Sequence, residues 1–178
     1  MAIGTLMTAA QFDALPVADS RRTELIDGEI VEVSSATFLH NRIQAMLIHL
    51  LLSWLKPNTR GMVLPNTEFA FGEDRFQPDI AIFSSDRWRE WDQGKLPVSV
   101  APDIAVEIIS PSESAYHVDH KLRSYLKHGV KEVWLVYTEE PHIYVHTTES
   151  IQRLEQNDTL TTPQLPGWSL VVGDAFSL

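Results

Sequence analysis

The chain has 178 residues, enough for one domain with a substantial core, and its 44% apolar and 21% charged residues match an ordinary globular protein rather than a disordered or fibrous one. It contains no cysteine, which removes disulfides, thiolate zinc sites and cysteine nucleophiles together. The 24 acidic against 14 basic residues give a formal charge of -10, which repels polyanions on average, so any phosphate-handling function must rest on local chemistry.

Met1 to Leu6 carries no basic residue and no apolar run of signal-peptide length, so a cytoplasmic location is expected. The longest apolar stretch, Ala45 to Leu55, is interrupted by His49 and Ser53 and falls short of the roughly 20 residues that cross a bilayer, so no membrane partner is expected. Without a Gly/Ser linker, charge block or low-complexity tract, residues 1–178 read as a single domain.

In chain order, a short helix is expected over about Met7 to Leu15, with Thr8 as its cap. Thr23 to Val33 forms two alternating runs around Asp27-Gly28, a strong hairpin signal. From about Ala36 to Lys56, Leu39, Ile43, Met46, Leu47, Leu50 and Trp54 recur at helical spacing, which predicts the longest helix, stopped by Pro57. Ile48, Leu51 and Leu52 widen its apolar coverage, which suggests a homodimer through this helix.

Strand-like runs follow at Gly61 to Leu64, Thr67 to Phe71 and Phe76 to Phe83, then a long surface excursion over Ser84 to Ala101. Asp103 to Ile109 reads as a central strand covered on both faces. A helix over about Ser114 to His128 stops at Gly129, Glu132 to Tyr137 returns as a buried strand, and His142 to His146 is its hairpin partner. This order predicts an α/β (mixed α+β) fold around one sheet.

Glu107 is the most informative residue, because Ile104, Ala105, Val106, Ile108 and Ile109 surround it on a strand with nothing else to offer water. Carboxylates are rarely buried unless paired or bound to a metal. Asp79 begins the equally apolar Ile80-Ala81-Ile82-Phe83, and Pro78, which has no N–H to give to a ladder, fixes it at a strand start. If those strands are neighbours, the two carboxylates share a cleft and suit a hard divalent cation such as Mg²⁺. Lys121 borders the sheet-facing side of the next helix, where its ammonium would neutralise the acids or stabilise charge developing on a phosphate.

Plainer readings stand beside these. Glu107 is also consistent with a structural partner of Arg123, Lys121 or a backbone donor, and Lys121 alone with a solvated helix lysine. Pro102-Asp103-Ile104-Ala105 repeats the pattern of Pro78-Asp79-Ile80-Ala81, but Asp103 lies on the strand of Glu107 about 13 Å away, which favours Asp79 as the ligand. His40, just off the helix stripe, reads by itself as packed or solvated. His40, His117 and His120 lack the spacing of a transition-metal site. Neither a nucleotide-binding glycine loop nor a Gly-x-Ser-x-Gly elbow is present.

Glu24-Leu25-Ile26-Asp27-Gly28-Glu29-Ile30-Val31, His40-Asn41-Arg42-Ile43, Pro78-Asp79, Val106-Glu107-Ile108-Ile109-Ser110-Pro111-Ser112, Lys121 with Tyr125, and Gly129 to Val136 form an ordered set. That set resembles the PD-(D/E)xK nuclease superfamily, and more closely its Uma-type restriction-endonuclease family. The resemblance implies a restriction-endonuclease-like core, a mixed central sheet flanked by helices, with the N-terminal hairpin added. It further implies a Mg²⁺-dependent site in which Mn²⁺ can substitute, and DNA as substrate. Asp79 corresponds to the motif's aspartate and Glu107 to its second acid. Ile109 stands where the motif has its lysine, and Lys121 on the following helix resembles the relocated replacement. Glu24 and His40 match recurrent family positions near the same cleft.

The leading expectation is therefore a metal-dependent DNA endonuclease with Asp79 and Glu107 as metal ligands. The alternative is a catalytically silent or regulatory protein-binding module on the nuclease fold, which the acidic charge supports. Arg21, Arg22, Arg42, Arg60, Arg123, Lys127 and Lys131 are expected to form a local basic rim for DNA.

Overall fold

The computed structural model describes residues 6–16, 23–33, 36–58, 61–111 and 113–177. Helix α1 (Ala9–Asp13) opens with a capping box in which Thr8 and Gln11 satisfy one another's backbone N–H. Strands β1 (Thr23–Ile26) and β2 (Glu29–Glu32) form the expected hairpin. Its turn residues Asp27 and Gly28 take φ of 51° and 81°, the left-handed pair that a two-residue hairpin of this twist requires.

The long helix α2 is Phe38–Asn58, started by the Thr37 hydroxyl, which accepts the His40 N–H at 3.1 Å. Two expectations need correction. Pro57 lies inside the last turn and does not stop the helix. The buried stripe is Ile43, Gln44, Leu47, Leu51 and Leu55, rotated from the predicted one, because i+4 steps track the sheet below. Leu39 is exposed, while Ile48, Leu50, Leu52 and Trp54 flank the stripe against the same core, which accounts for the broad apolar coverage.

Six strands make the main sheet, in the order β10 (Ile151–Glu155), β9 (His142–His146), β8 (Glu132–Tyr137), β7 (Ile104–Ile109), β6 (Ile80–Phe83) and β3 (Met62–Pro65). Only β7 and β8 run parallel, joined by α3 (Ala115–Lys127) as crossover; the sheet is thus mixed. A second sheet has the order β2-β1-β5-β4, with β4 at Phe69–Phe71 and β5 at Asp74–Phe76. The expected single strand from Phe76 to Phe83 is thus two strands in different sheets, broken at Gln77-Pro78 where proline interrupts the ladder. β11 (Thr159–Thr161) and β12 (Ser169–Val171) form a separate hairpin.

The main sheet separates two cores by strand alternation. Ile80, Ile82, Ile104, Val106 and Ile108 face α2 with Trp134 and the C-terminal hairpin. Ala81, Phe83, Ala105 and Ile109 face the small sheet and Tyr125 of α3. Glu107 falls on this second face. No helix among the described residues is long and apolar enough to cross a membrane.

Candidate active site

β6 pairs with β7 through Ile80↔Val106 and Ala81↔Ala105, and Asp79 and Glu107 are the next residues beyond that last pair, Asp79 lying just outside β6. Because the ladder stops at Ile80, the N–H of Ile108 lacks a strand carbonyl opposite it. The Asp79 carboxylate takes its place, with Oδ2 accepting that N–H at 2.7 Å.

Asp79 is fixed from its other sides too. Oδ1 lies 3.1 Å from Nε2 of His40, and the Gln44 amide donates to the Asp79 carbonyl at 2.7 Å and to Asn66 at 3.0 Å. Burial discourages charge on His40, but the Asp79 hydrogen bond and charge, with Glu113 and the Ile108 backbone, outweigh it and raise its pKa.

Glu107 has 7% of its side chain exposed, and one of its oxygens, Oε1, takes both the Tyr125 hydroxyl and the Lys121 ammonium, the latter at 2.9 Å. Lys121 also donates to Glu24 Oε1 at 3.0 Å, and the same Glu24 oxygen accepts the Gln77 N–H at 2.8 Å. Glu24 thereby holds the lysine and closes the break between β5 and β6. Burial pushes the Glu107 carboxyl up to about 8, with the charges of Asp79 and Glu24 adding to the rise and Lys121 opposing it. Burial lowers the pKa of Lys121, yet Glu107 and Glu24 more than reverse this and raise it, so the ammonium stays charged.

All five residues singled out from the sequence, Glu24, His40, Asp79, Glu107 and Lys121, line one cavity of about 520 Å³. Its wall also carries Glu32 and Glu113, so five carboxylates face the Lys121 ammonium, His40 and His117. Oxygen donors in negative excess, held by backbone and side-chain hydrogen bonds, have the chemistry that a hard divalent cation takes. Three neighbours were not assigned a site role from the sequence: Tyr125, Gln44 and Glu113. Gln44 had a signal, a polar residue inside an apolar helical stripe; Tyr125 lies one turn beyond Lys121.

Other expectations part from this geometry. Arg123 pairs with Asp119 on the exposed side of α3, not with Glu107. Two further described members of the expected basic rim have partners of their own. Arg42 donates to the Phe176 carbonyl, and Lys131 pairs with Asp103, while Arg21, Arg22 and Arg60 lie outside the described residues. Asp103 is instead a latch: Oδ2 accepts the N–H and hydroxyl of Ser84, each at 2.8 Å, and Lys131 meets Oδ1 at 2.9 Å. The three histidines do not converge. His40 meets Asp79, His117 lines the cavity, and His120 is clamped between Asp27 and Asp74, one carboxylate on each ring nitrogen at 3.0 and 3.1 Å. Those last three residues bring ligating atoms within 4.8 Å of one another and tie α3 to the hairpin turn and β5.

A solved structure described as a "putative nuclease belonging to DUF820", from Anabaena variabilis, matches with a TM-score of 0.85 at 25% identity, covering 96% of this chain and 97% of that one. No curated protein matches the chain. The family model Uma2, described as "Putative restriction endonuclease", matches residues 9–173, and the chain belongs to that family.

Proposed function

We propose that the protein is a metal-dependent endonuclease that hydrolyses phosphodiester bonds in DNA, with Mg²⁺ as its cation and Mn²⁺ able to substitute. The observation that carries this reading is that Asp79, bonded to the Ile108 N–H just before β6, and Glu107 on β7 line one cavity, with Lys121 2.9 Å from Glu107. Asp79 and Glu107 would hold the cation. When bound, such a cation polarises a phosphoryl oxygen and lowers the pKa of a water.

The chain's own groups then have distinct tasks. Lys121 keeps its proton, so its task is to stabilise negative charge on phosphorus rather than to accept a proton. Glu24 positions that ammonium from the opposite side to Glu107. His40 orients the Asp79 carboxylate, and the same contact raises the His40 pKa. The Tyr125 hydroxyl fixes the Glu107 carboxyl.

The test is cleavage of supercoiled plasmid with Mg²⁺ or Mn²⁺ by the wild type and by Asp79→Ala, Glu107→Ala and Lys121→Ala. Nicking that disappears in all three variants is expected; nicking that persists unchanged in Glu107→Ala rejects the site. A second reading, a catalytically silent protein-binding module, is favoured by one observation. The only lysine among the described cavity residues is already held by two carboxylates, which leaves little to grip a phosphate backbone. Absence of cleavage on every nucleic acid tested would favour that reading.

A further inference from the structure

A second cavity, of about 660 Å³, lies between α3 and the β8–β10 half of the main sheet. Its floor is apolar and aromatic: Val118 and Leu122 from the helix, Leu135, Tyr137 and Tyr144 from the strands, and Ile151, which is 67% exposed on the edge strand. Its rim carries Glu113, Asp119, Glu139 and Glu140. No lysine or arginine is among the described lining residues, and burial lowers the pKa of His146 toward the neutral form. Asp119 is answered by Arg123; the other three rim acids leave the groove negative.

This combination excludes some occupants and favours one. The three unanswered rim carboxylates repel a phosphate backbone, and a second copy of a chain with formal charge -10 brings more of the same sign. A cation, by contrast, meets both carboxylates and ring faces. Arg153 already shows the geometry on the edge strand, its guanidinium 5.7 Å from the centroid of the Tyr144 ring. Tyr137 and His142 stack at 4.7 Å and 8°, a packed aromatic floor.

We propose that this groove docks a cationic peptide segment of a partner protein, with apolar side chains on the floor and lysine or arginine at the acidic rim. The groove adjoins the candidate active site, since Ser110 and Glu113 line both cavities. Glu113 sits in the field of Lys121 and Asp79, so a cation seated beside it changes the charge facing the cleft. The inference does not depend on nuclease activity.

The probe is a fluorescently labelled amphipathic helix of leucine and lysine, with a leucine and glutamate helix as control, followed by anisotropy on the full chain. Saturable binding of the lysine probe alone is expected. It should weaken by about tenfold or more in Glu139→Lys/Glu140→Lys and in Tyr144→Ala, but not in the charge-matched Glu29→Lys/Glu73→Lys on the other sheet. Ile151→Ser, at an exposed position, repeats the test without a change of charge if Tyr144→Ala fails to fold. Equal weakening by both charge reversals, or no saturable binding, overturns the proposal. So does light scattering that finds a dimer dissolved by Ile151→Ser, since a second copy then fills the groove.

Discussion

Asp79 reaches past the end of its own strand to accept the N–H of Ile108 at 2.7 Å, so a side chain completes a ladder that the backbone leaves one residue short. The same carboxylate is the candidate metal ligand, which ties the position of the chemistry to a hydrogen bond of the fold.

Asp79→Ala removes the acceptor for a backbone N–H together with the partner of His40. An expected loss of about 1–3 kcal/mol in urea unfolding follows from leaving that donor unmet. Asp79→Asn keeps an acceptor and should recover most of this stability without recovering Mn²⁺ binding by calorimetry. Equal stability of the two variants would show that the bond to Ile108 contributes nothing.

Lys121→Met leaves Glu24 and Glu107 facing one another without a cation. Removing one partner of a buried charge cluster typically costs about 3–5 kcal/mol. Adding Glu24→Gln and Glu107→Gln to Lys121→Met should return much of that loss in thermal denaturation, because the uncompensated charge is gone. A triple variant no more stable than Lys121→Met would place the cost in packing instead.

Glu107 sets a pH dependence in metal-free protein. Its carboxyl is pushed by burial from 4.5 up to about 8, so the protonated form is the one the fold favours. Its contribution to stability is complete below about 4.5 and is lost as pH rises through about 8. Melting temperature should therefore fall over this window, and Glu107→Gln should flatten the fall. Mg²⁺ added at the alkaline end should raise the melting temperature of the wild type more than that of Glu107→Gln.

Gln44→Met removes the donor to the Asp79 carbonyl and to Asn66 while keeping the volume. Supporting groups of this kind typically change metal affinity by about 10–100-fold. Mn²⁺ titration should show a drop of that order with little change in the urea midpoint. An unchanged affinity would mean that Asp79 is placed by Ile108 and His40 alone.

Much of this arrangement was legible before any coordinates. A lone carboxylate among five aliphatic residues marks Glu107, and a proline before an aspartate marks a strand start, because both readings rest on local physics. What local pattern does not contain is pairing. Nothing in the sequence alone shows that Glu24 and Lys121, 97 positions apart, share a hydrogen bond, or that His120 reaches both Asp27 and Asp74. The stripe of α2 was misjudged for a related reason, since apolar residues surround much of that helix and only the sheet beneath decides which of them are covered. Tyr125 is core, and its hydroxyl is directed at Glu107, which no local pattern reveals.

Pro78-Asp79-Ile80-Ala81 and Pro102-Asp103-Ile104-Ala105 are near-twin tetrapeptides with opposite fates, one opening onto a cleft and the other tying down Ser84 and Lys131. A text search for the dipeptide would return both with equal weight. The useful discriminator is length mismatch between neighbouring strands: the copy that begins short of its neighbour's end leaves a vacant donor for an acid to claim, and in other members of this family that staggered boundary is the place to look first.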